Sequence, residues 1–595
     1  MDFNDYLPMS KNDMEKRGWY YVDFLLVTGD AYVDHPSFGS AVIGRLLESL
    51  GYRVGIISQP DWRNTEDFIA LGRPRYGCLV TAGNLDSMVN NYTGNKRPRR
   101  EDLYSPGGKA GKRPDRAAIV YCNRVREAWP GTPLVIGGIE ASLRRLAHYD
   151  YWDDKVRRSV LLDSKADLLV FGMAEKQIGE IAHRLAKGED ISAITDIPGT
   201  VYATSVKPEG QAVMLPFFEE VRSSREKYAE AFKLAYYEQD PFHGKTLVQP
   251  HGKQFVVQNA PAKPLSTKEL DRVYELPFKR SYHPVYQKAG GVPALKEVEF
   301  SITAQRGCFG GCAFCALTFH QGCIIQARSH ESIIREAKLL TTLPGFKGII
   351  HDVGGPTANF RRPACEKQLQ AGACRDKQCL FPGKCSNIQV DHSDLMDLLR
   401  KLRKLPGVRH VFLRSGLRYD YLLYEKDPEV LKEICQYHVS GQLKVAPEHV
   451  SREVLKLMRK PGHDIYRKFY DRYCKVNSEL GKNQFLVPYF IVAHPGCTLK
   501  DAVELAEYVR DMGYNPEQIQ DFTPTPGSLS TCIYYTGIDP LTGQRVYVPR
   551  SGKERQMQRA LVHYRNPKNR QLVREALCKA GRTDLIGKGP GCLVR

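Results

Sequence analysis

Three cysteines stand close together in a glycine-rich stretch near the middle of the chain. They are Cys308, Cys312 and Cys315, in the sequence Gln-Arg-Gly-Cys-Phe-Gly-Gly-Cys-Ala-Phe-Cys. Thiolates four and three residues apart can converge on one compact polynuclear metal site, and the glycines between them let the backbone approach it closely. The spacing therefore predicts a metal centre rather than three unrelated buried cysteines.

The spacing alone leaves the metal open. Structural zinc normally takes four protein ligands, and His320 or Cys323 would supply the fourth. A [4Fe–4S] cluster held by only three cysteines would instead leave one iron free for a substrate or cofactor. We favour the cluster, and zinc stays as the alternative at this point.

The cysteine loop follows the first strand of a repeating strand–helix pattern. Strands are predicted at Val298–Ala304, Gly348–Val353, His410–Arg414, Gln442–Val445, Phe485–Val492 and Ile519–Phe522. Strands that alternate with helices favour a parallel sheet, here a partial (β/α)6 barrel. Because barrel enzymes have their active sites at the carboxyl ends of the strands, the cysteine loop lies where an active site is expected.

This motif, with Phe314 before the last cysteine, resembles the radical S-adenosylmethionine (SAM) superfamily. The resemblance implies a [4Fe–4S] cluster on Cys308, Cys312 and Cys315, with SAM bound at the open iron. It also implies that one electron from the reduced cluster cleaves SAM to methionine and a 5′-deoxyadenosyl radical. A reductant such as flavodoxin or ferredoxin would supply the electron.

The same resemblance assigns contacts to SAM. Gly354 and Gly355 follow the second barrel strand, where the superfamily has a GGE-type element whose backbone meets the methionine amino group. The Glu of that element is replaced by Pro356, so only the backbone role carries over. Glu448, after the fourth strand, and Phe314 complete the expected cofactor-binding set. No residue is assigned a catalytic role.

Nearly the whole chain is similar to the YgiQ-type family of radical SAM proteins, whose substrate is unassigned. The similarity is carried by the segments 137–145 and 148–152, the cysteine loop and the segment 563–570. The resemblance therefore leaves the reaction itself open.

A second cysteine group lies in the loop after the second barrel strand. It consists of Cys365, Cys374, Cys379 and Cys385. Their spacing matches no common zinc finger, but they are numerous enough to hold zinc or an auxiliary Fe–S cluster. We predict a possible second metal site here, with free or regulatory thiols as the alternative.

The first 200 residues alternate strands and helices and resemble the cobalamin-binding domains that precede some radical SAM barrels. The DxHxxG signature of those domains is not met, because His35 lies one residue out of register with both Asp34 and Gly39. We therefore expect a Rossmann-like domain that does not bind cobalamin. A polar and aromatic patch from Glu140 to Tyr151 predicts either a substrate pocket or an ionic network.

Charge and composition limit the partners. The net charge of the 595-residue chain is +19, and residues 540–595 carry thirteen Lys and Arg against three acidic residues. Such a segment either binds RNA or forms a solvated helix face. The chain has sixteen cysteines, no apolar stretch long enough to span a bilayer, and acidic residues where a signal peptide would be basic. We expect a cytoplasmic protein without a membrane partner.

Four parts are predicted along the chain. They are a Rossmann-like α/β domain (1–200), a bridging segment (201–290), a partial barrel (291–540) with a Cys-rich insertion (361–390), and a basic extension (541–595). The predicted function is a radical SAM enzyme of unknown substrate. The alternatives are a tRNA-modifying methyl- or methylthiotransferase, small-molecule rearrangement or ligation, and a non-enzymatic Fe–S or zinc protein that binds RNA or acts as a sensor.

Overall fold

The computed structural model describes residues 6–514, 516 and 518–595. Residues 1–5 lie outside the described residues; they belong to the start of the chain, where a signal peptide was not expected. Positions 515 and 517, within the predicted barrel, also lie outside them. The strands of the amino-terminal half are β1 (Phe24–Thr28), β2 (Val33–Asp34), β3 (Val54–Ser58), β4 (Gly77–Thr81), β5 (Leu134–Gly137), β6 (His148–Asp150), β7 (Lys155–Arg157), β8 (Leu168–Val170), β9 (Thr200–Thr204), β10 (Val213–Met214), β11 (Leu247–His251), β12 (Gln254–Gln258) and β13 (Ser281–Tyr282). Its helices are α1 (Lys11–Lys16), α2 (Gly39–Ser49), α3 (Glu66–Ile69), α4 (Ser87–Asn91), α5 (Ala117–Ala128), α6 (Gly138–Leu143), α7 (Val160–Ser164), α8 (Glu175–Ala186), α9 (Phe218–Ser223), α10 (Arg225–Tyr237) and α11 (Thr267–Tyr274).

A nine-stranded sheet forms the centre of this half within the described residues, in the order β10-β11-β12-β9-β8-β5-β4-β1-β3. Strands β3, β1, β4, β5 and β8 are parallel. Phe24 and Leu26 of β1 pack in one hydrophobic cluster with α2 and α8, whereas Leu25 and Val27 pack in another with α5. Because helices cover both faces of the sheet, β1 carries apolar residues on both faces, from Phe24 to Val27. The predicted α/β, Rossmann-like fold class is confirmed.

The segment 201–290, expected to bridge two domains, instead extends this sheet. Strand β9 pairs antiparallel with β8, and the β11–β12 hairpin pairs antiparallel with β9. Val201 and Val256 are buried in the same cluster as the parallel strands. Strand β11 contains Pro250, and β12 has a Gln at each end, so their apolar pattern is weaker than that of the parallel strands.

The second half begins with the short helix α12 (Leu295–Val298) and carries the barrel. Its strands are β14 (Ser301–Thr303), β15 (Gln305–Arg306), β16 (Gln326–Ala327), β17 (Ile349–Ile350), β18 (Asp352–Gly354), β19 (His410–Val411), β20 (Gln442–Glu448), β21 (Phe485–Val492) and β22 (Ile519–Asp521). Its other helices are α13 (Leu317–Gln321), α14 (His330–Thr342), α15 (Glu366–Ala371), α16 (Ser393–Arg403), α17 (Tyr419–Leu423), α18 (Pro428–Glu433), α19 (Arg452–Met458), α20 (His463–Glu479), α21 (Leu499–Asp511), α22 (Leu529–Thr536), α23 (Gly552–Val562) and α24 (Arg570–Ala580).

Parallel pairing joins the barrel strands in the predicted order. Strand β14 pairs with β18, β17 pairs with β19, and β20, β21 and β22 form one ladder. Among the described residues, the third and fourth strands (β19 and β20) form no ladder with each other. Beyond β19, the N–H of Leu417 donates to the carbonyl of Lys444 in β20 at 3.4 Å. The first strand starts later than predicted, because residues 295–298 form a helical turn instead.

The carboxyl-terminal helices pack on the barrel. Apolar residues of α23 and α24, such as Leu561 and Leu577, share a core cluster with Val503 of α21. Arg582 forms an ion pair with Glu507 of α21 at 2.8 Å. The basic extension is thus anchored by apolar and ionic contacts. No helix among the described residues is both long and apolar enough to cross a bilayer.

Candidate active site

The three motif cysteines lie on the loop between β15 and α13, and all three are free thiols. Gly307 has a φ of 84°, and a Cβ at this position would collide with the carbonyl oxygen of Ile324. The backbone N–H of Gly310 donates to the Sγ of Cys308 at 3.4 Å. The glycines therefore allow a tightly folded loop in which one sulfur already accepts a hydrogen bond.

The sulfur atoms lie within electrostatic reach of one another. Burial, followed by the neighbouring Cys312 and Cys308, raises the pKa of Cys315 to about 12. Burial also raises the pKa of Cys308, which the cation of Arg418 opposes. A metal stabilises the thiolate form that this environment otherwise disfavours. The donor set therefore fits the cluster that the motif predicts.

Arg418, which the sequence did not single out, is the charged group beside this loop. Its Nη1 lies 3.8 Å from the Sγ of Cys312. Its Nε and Nη2 donate to the two carboxylate oxygens of Asp420 at 2.9 and 2.6 Å. Arg418 follows the third barrel strand, at the end where barrel active sites lie, and that position was the available signal.

The residues considered as a fourth zinc ligand differ in their surroundings. The Nδ1 of His320 lies 3.0 Å from the hydroxyl of Ser142 in the amino-terminal half. Cys323 is close enough for Cys308 to raise its pKa, although burial is the larger cause. Within the described ranges, no three His, Cys, Asp or Glu side chains are grouped so as to hold a single metal ion.

Gly354 and Gly355 stand at the end of β18, where the GGE-type element was expected. A Cβ on Gly354 would collide with the hydroxyl of Ser415, and one on Gly355 with the carbonyl of Gln305. Both glycines line a cavity of about 520 Å³ between the barrel and the carboxyl ends of β4, β5 and β8. That volume is within the range of small-molecule sites, roughly 300–1,000 Å³.

Glu448 ends β20 with a φ of 70°. Its Oε1 lies 3.9 Å from the Nζ of Lys460. Burial raises the pKa of Glu448 to about 7, while the cations of Lys460 and Arg418 lower it. The carboxyl group thus shares Arg418 with the cysteine loop, but it does not line the cavity that contains Gly354 and Gly355.

Phe314 packs edge-on against His494, with 6.2 Å between the ring centres. It lines a second and larger cavity, a cleft of about 1,300 Å³ that opens on the other side of the cysteine loop. The four predicted SAM-binding residues therefore do not line one shared cavity. Their assignment to SAM stays a prediction.

The second cysteine group lies beside the first. The Gln378 side chain of this insertion donates to the carbonyl of Gly311 in the cysteine loop at 2.9 Å. Burial is the larger cause that raises the pKa of Cys379 to about 12, and the other three thiols of the group contribute to this rise: Cys365, Cys385 and Cys374. These thiols are therefore mutually close, and a metal among them stays a prediction.

The polar patch of the amino-terminal half divides between its two expected roles. Arg144 and Asp86 form a buried ion pair at 2.8 Å, and Arg116 pairs with Asp150 at 2.9 Å. The neighbouring rings of Tyr149 and Tyr151 instead line the large cleft: both appear among its walls.

His35, the residue nearest to a cobalamin-ligand position in the sequence, is buried at 1% exposure. Its Nδ1 accepts a hydrogen bond from the backbone N–H of Ser37 at 3.1 Å. Its ring packs edge-on against Phe38 at 6.4 Å. These contacts engage one ring nitrogen of His35, while its Nε2 has no hydrogen-bond partner among the described residues.

Known families match consecutive parts of the chain. The family described as Radical SAM N-terminal matches residues 6–301, and the Radical SAM superfamily matches residues 302–509. A domain of unknown function, DUF3362, matches residues 517–595.

Solved structures resemble the chain only distantly. The methyltransferase TsrM from Kitasatospora setae, with cobalamin and a [4Fe-4S] cluster bound, has a TM-score of 0.49 and 13% identity, covering 94% of this chain and all of its own. The cobalamin-dependent enzyme OxsB has a TM-score of 0.46 and 12% identity, covering 87% of this chain and 56% of its own. Likeness at this level transfers no ligand to this chain.

Sequence relatives are much closer. A UPF0313 protein of Clostridium botulinum strain 657 is 58% identical over 591 residues, which is 99% of this chain and 92% of the relative. A UPF0313 protein of Clostridium perfringens strain 13 is 58% identical over 597 residues, covering all of this chain and 90% of the relative. The chain therefore belongs to the UPF0313 family of radical SAM enzymes, and the predicted YgiQ-type membership is confirmed.

Proposed function

We propose that the chain binds a [4Fe–4S] cluster through Cys308, Cys312 and Cys315 and uses it to cleave SAM reductively. When bound, the cluster supplies the electron that splits SAM into methionine and a 5′-deoxyadenosyl radical. The electron comes from an external one-electron donor such as flavodoxin or ferredoxin. The substrate from which the radical removes hydrogen is left open here.

The observation that carries the proposal is the grouping of three free thiols on one tight glycine loop beside a buried cation. Arg418 lies 3.8 Å from the Sγ of Cys312 and is held there by Asp420. A neighbouring cation stabilises thiolates, and nearby charge helps set the reduction potential of an Fe–S cluster. Arg418 is thus a positioning and charge-balancing residue in this proposal.

Other groups of the chain bind and orient SAM in the proposal. The backbone of Gly354 and Gly355, which lines the 520 Å³ cavity, is available to a polar ligand. Glu448, paired at 3.9 Å with Lys460, holds or releases a proton near neutral pH. Both features follow strand ends, where barrel enzymes bind their ligands.

The proposal gives cobalamin no role, because the DxHxxG signature is not met and His35 is buried. The proposal does not require a second metal at the insertion cysteines. It also includes a location in the cytoplasm, since sixteen free cysteines suit a reducing compartment.

Anaerobic reconstitution tests the proposal. The full chain, loaded with iron and sulfide and reduced with dithionite, is expected to release 5′-deoxyadenosine from SAM. A variant with Cys308, Cys312 and Cys315 changed to Ala should lose both the cluster and the release. A matched control changes the three peripheral cysteines Cys474, Cys578 and Cys592 to Ala, and it should keep both.

The remaining outcomes separate the alternatives. An intact cluster that releases no 5′-deoxyadenosine would contradict catalysis and favour a non-enzymatic Fe–S protein. One tightly bound zinc per chain, in place of iron, would favour the zinc alternative. Iron or zinc that survives in the loop variant would locate a second site at Cys365–Cys385. Corrinoid absorbance retained after incubation with hydroxocobalamin would add the cofactor that the proposal omits.

A further inference from the structure

The large cleft beside the cysteine loop is built from several distant parts of the chain. One wall is formed by the end of α4 and the loop of residues 92–99 that follows it, together with Tyr149, Tyr151 and Asp154. The floor is formed by the carboxyl ends of β21 and β22, with Phe314 from the cysteine loop, and the other wall by the helices from α22 onward. The cleft therefore leads from the surface to the residue beside Cys315.

The cleft is strongly cationic. Its cationic lining residues are Lys96, Arg97, Arg99, Arg550, Arg555 and Arg559, and its acidic ones are Asp154 and Asp521. Asp521 is already held by Arg559 at 2.8 Å and by the side chain of Asn95 at 2.9 Å. Asp154 accepts from the hydroxyl of Tyr149 at 2.5 Å. The acidic groups are thus occupied, and a surplus of positive charge remains.

The surplus cations contact neutral groups. Lys96 stands 4.6 Å from the centre of the Tyr151 ring, and Arg550 donates to the carbonyl of Tyr535 at 2.6 Å. Within the described part of the chain, neither of them, nor Arg97, forms an ion pair with a carboxylate. Cations that lack a counter-ion in a recess attract an anionic ligand.

Arg555 sits deepest in this cleft, with only 3% of its surface exposed. Its Nη2 donates to the carbonyls of Phe522 at 2.6 Å and Gly94 at 3.3 Å, while its Nε has no hydrogen-bond partner. A buried guanidinium without a carboxylate is costly unless an anion compensates it. The floor of the cleft therefore also favours negative charge.

Aromatic rings alternate with these cations. The aromatic lining residues are Tyr149, Tyr151, Phe314, Phe522 and Tyr534. Four of these rings are at most 6% exposed and pack against one another, so Phe314 is the partly exposed ring among them. A cationic groove that leads to such a ring can hold a single-stranded nucleic acid, with phosphates on the cations and a base on the ring. The volume of about 1,300 Å³ exceeds the roughly 300–1,000 Å³ of small-molecule pockets.

We infer that this cleft binds a single-stranded segment of nucleic acid as the substrate, with one nucleotide directed toward Phe314 and the cysteine loop. The inference rests on the proposed function and names its substrate class. Lys96, Arg97 and Arg550 bind the phosphates near the opening. An acidic polypeptide would use the cations but leave Phe314 without a stacking partner.

Binding of labelled oligonucleotides to the cluster-loaded full chain tests this inference. Fluorescence anisotropy is measured with RNA and DNA of one sequence, about 16 nucleotides long, with polyglutamate and with a mononucleotide. We expect the oligonucleotides to bind and the other two probes to bind at least tenfold more weakly. Comparison of RNA with DNA identifies which strand the site takes.

A variant set assigns the binding to the cleft. Changing Lys96, Arg97 and Arg550 to Ala should raise Kd roughly tenfold or more and lower the slope of log K against log salt by about 2. A matched control changes the exposed Lys187, Lys338 and Lys475 to Ala, removing equal charge outside the cleft. The control should bind as the unmodified chain does.

Equal weakening in both variants, no oligonucleotide binding at low salt, or preference for polyglutamate would each overturn the inference. Release of 5′-deoxyadenosine by the same unmodified preparation is recorded in parallel. Release of 5′-deoxyadenosine without nucleic-acid binding would contradict this inference but not the proposed function. If the cleft binds the oligonucleotide and the cluster is intact, but no 5′-deoxyadenosine is released even with the oligonucleotide present, the proposed function is contradicted instead.

Discussion

Arg418 links the cysteine loop to a buried carboxylate: its Nη1 lies 3.8 Å from the Sγ of Cys312, and its Nη2 lies 2.6 Å from Asp420. The side chain of Arg418 is buried. A buried cation held in this way has a fixed position relative to whatever the thiol binds. Its replacement therefore tests both the fold and the metal centre.

Changing Arg418 to Gln should lower the iron content per chain and make the midpoint potential of the loaded fraction more negative. The reduced cluster gains an electron, and removal of a nearby cation disfavours that state. The unpaired Asp420 should also cost about 3–5 kcal/mol of stability. Iron analysis, redox titration and thermal unfolding measure the three effects.

A double variant, Arg418→Gln with Asp420→Asn, separates these effects. It removes the stranded carboxylate, so thermal stability should largely return while the potential stays lowered. An unchanged potential in both variants would contradict a role of Arg418 at the metal centre.

Gly310→Ala should impair cluster loading. The new Cβ would collide with Nη1 of Arg418 and lie 3.2 Å from the Sγ of Cys308. Because Arg418 is held by Asp420, the clash should cost about 1–3 kcal/mol and displace the loop. Gly383→Ala is the matched control, since its Cβ would meet nothing within 4 Å. Equal iron content in both variants would argue against tight packing of the loop.

Glu448 should make stability depend on pH near neutrality. Burial raises its pKa to about 7, so between the unfolded value near 4.5 and pH 7 the folded chain keeps a proton that the unfolded chain loses. The contribution of Glu448 to the free energy of unfolding is thus fully present below about pH 4.5. As the pH rises toward 7, about 3 kcal/mol of this contribution is lost.

Glu448→Gln carries no charge at any of these pH values. In thermal unfolding from about pH 5 to pH 8.5, the stability of this variant relative to the unmodified chain should increase as the pH rises. Glu479→Gln, at an exposed position of α20, should show a difference that does not change with pH. A constant difference for Glu448→Gln would mean that the pKa of this carboxyl is not raised.

The ion pair of Arg144 with Asp86 should support the amino-terminal half. Both side chains are 2% exposed and meet at 2.8 Å. Arg144→Met leaves a buried carboxylate unpaired and should destabilise the chain by about 3–5 kcal/mol. Arg63→Met breaks the exposed pair with Asp61 at 3.0 Å and should cost less than about 1 kcal/mol. Differential scanning calorimetry compares the two, and similar effects would contradict the prediction.

Local sequence was enough to predict the cysteine loop, because Cys308 and Cys315 are separated by only seven positions and glycines surround them. The start of helix α21 is also specified by neighbouring residues: Thr498 and Asp501 form a capping box. In both cases the interacting groups are neighbours in the chain. Such features need no knowledge of the tertiary fold.

Features made by distant segments were not predictable in this way. Arg418 and Cys312 are 106 residues apart, and nothing in either local sequence specifies their contact. The hairpin β11–β12 joins the sheet through β9, whose partners are fixed by tertiary packing rather than by a strong apolar repeat. A single sequence shows how each segment prefers to fold, but not which other segment it meets.

The bond between Arg555 and the carbonyl of Gly94 joins positions 461 residues apart. At about 5–20 residues per second, a ribosome emits the second partner roughly 20–90 s after the first. The nascent polypeptide therefore carries its sulfur donors well before both sides of the recess exist. The recess itself can form only after α23 docks, when the cysteine loop has already been synthesised.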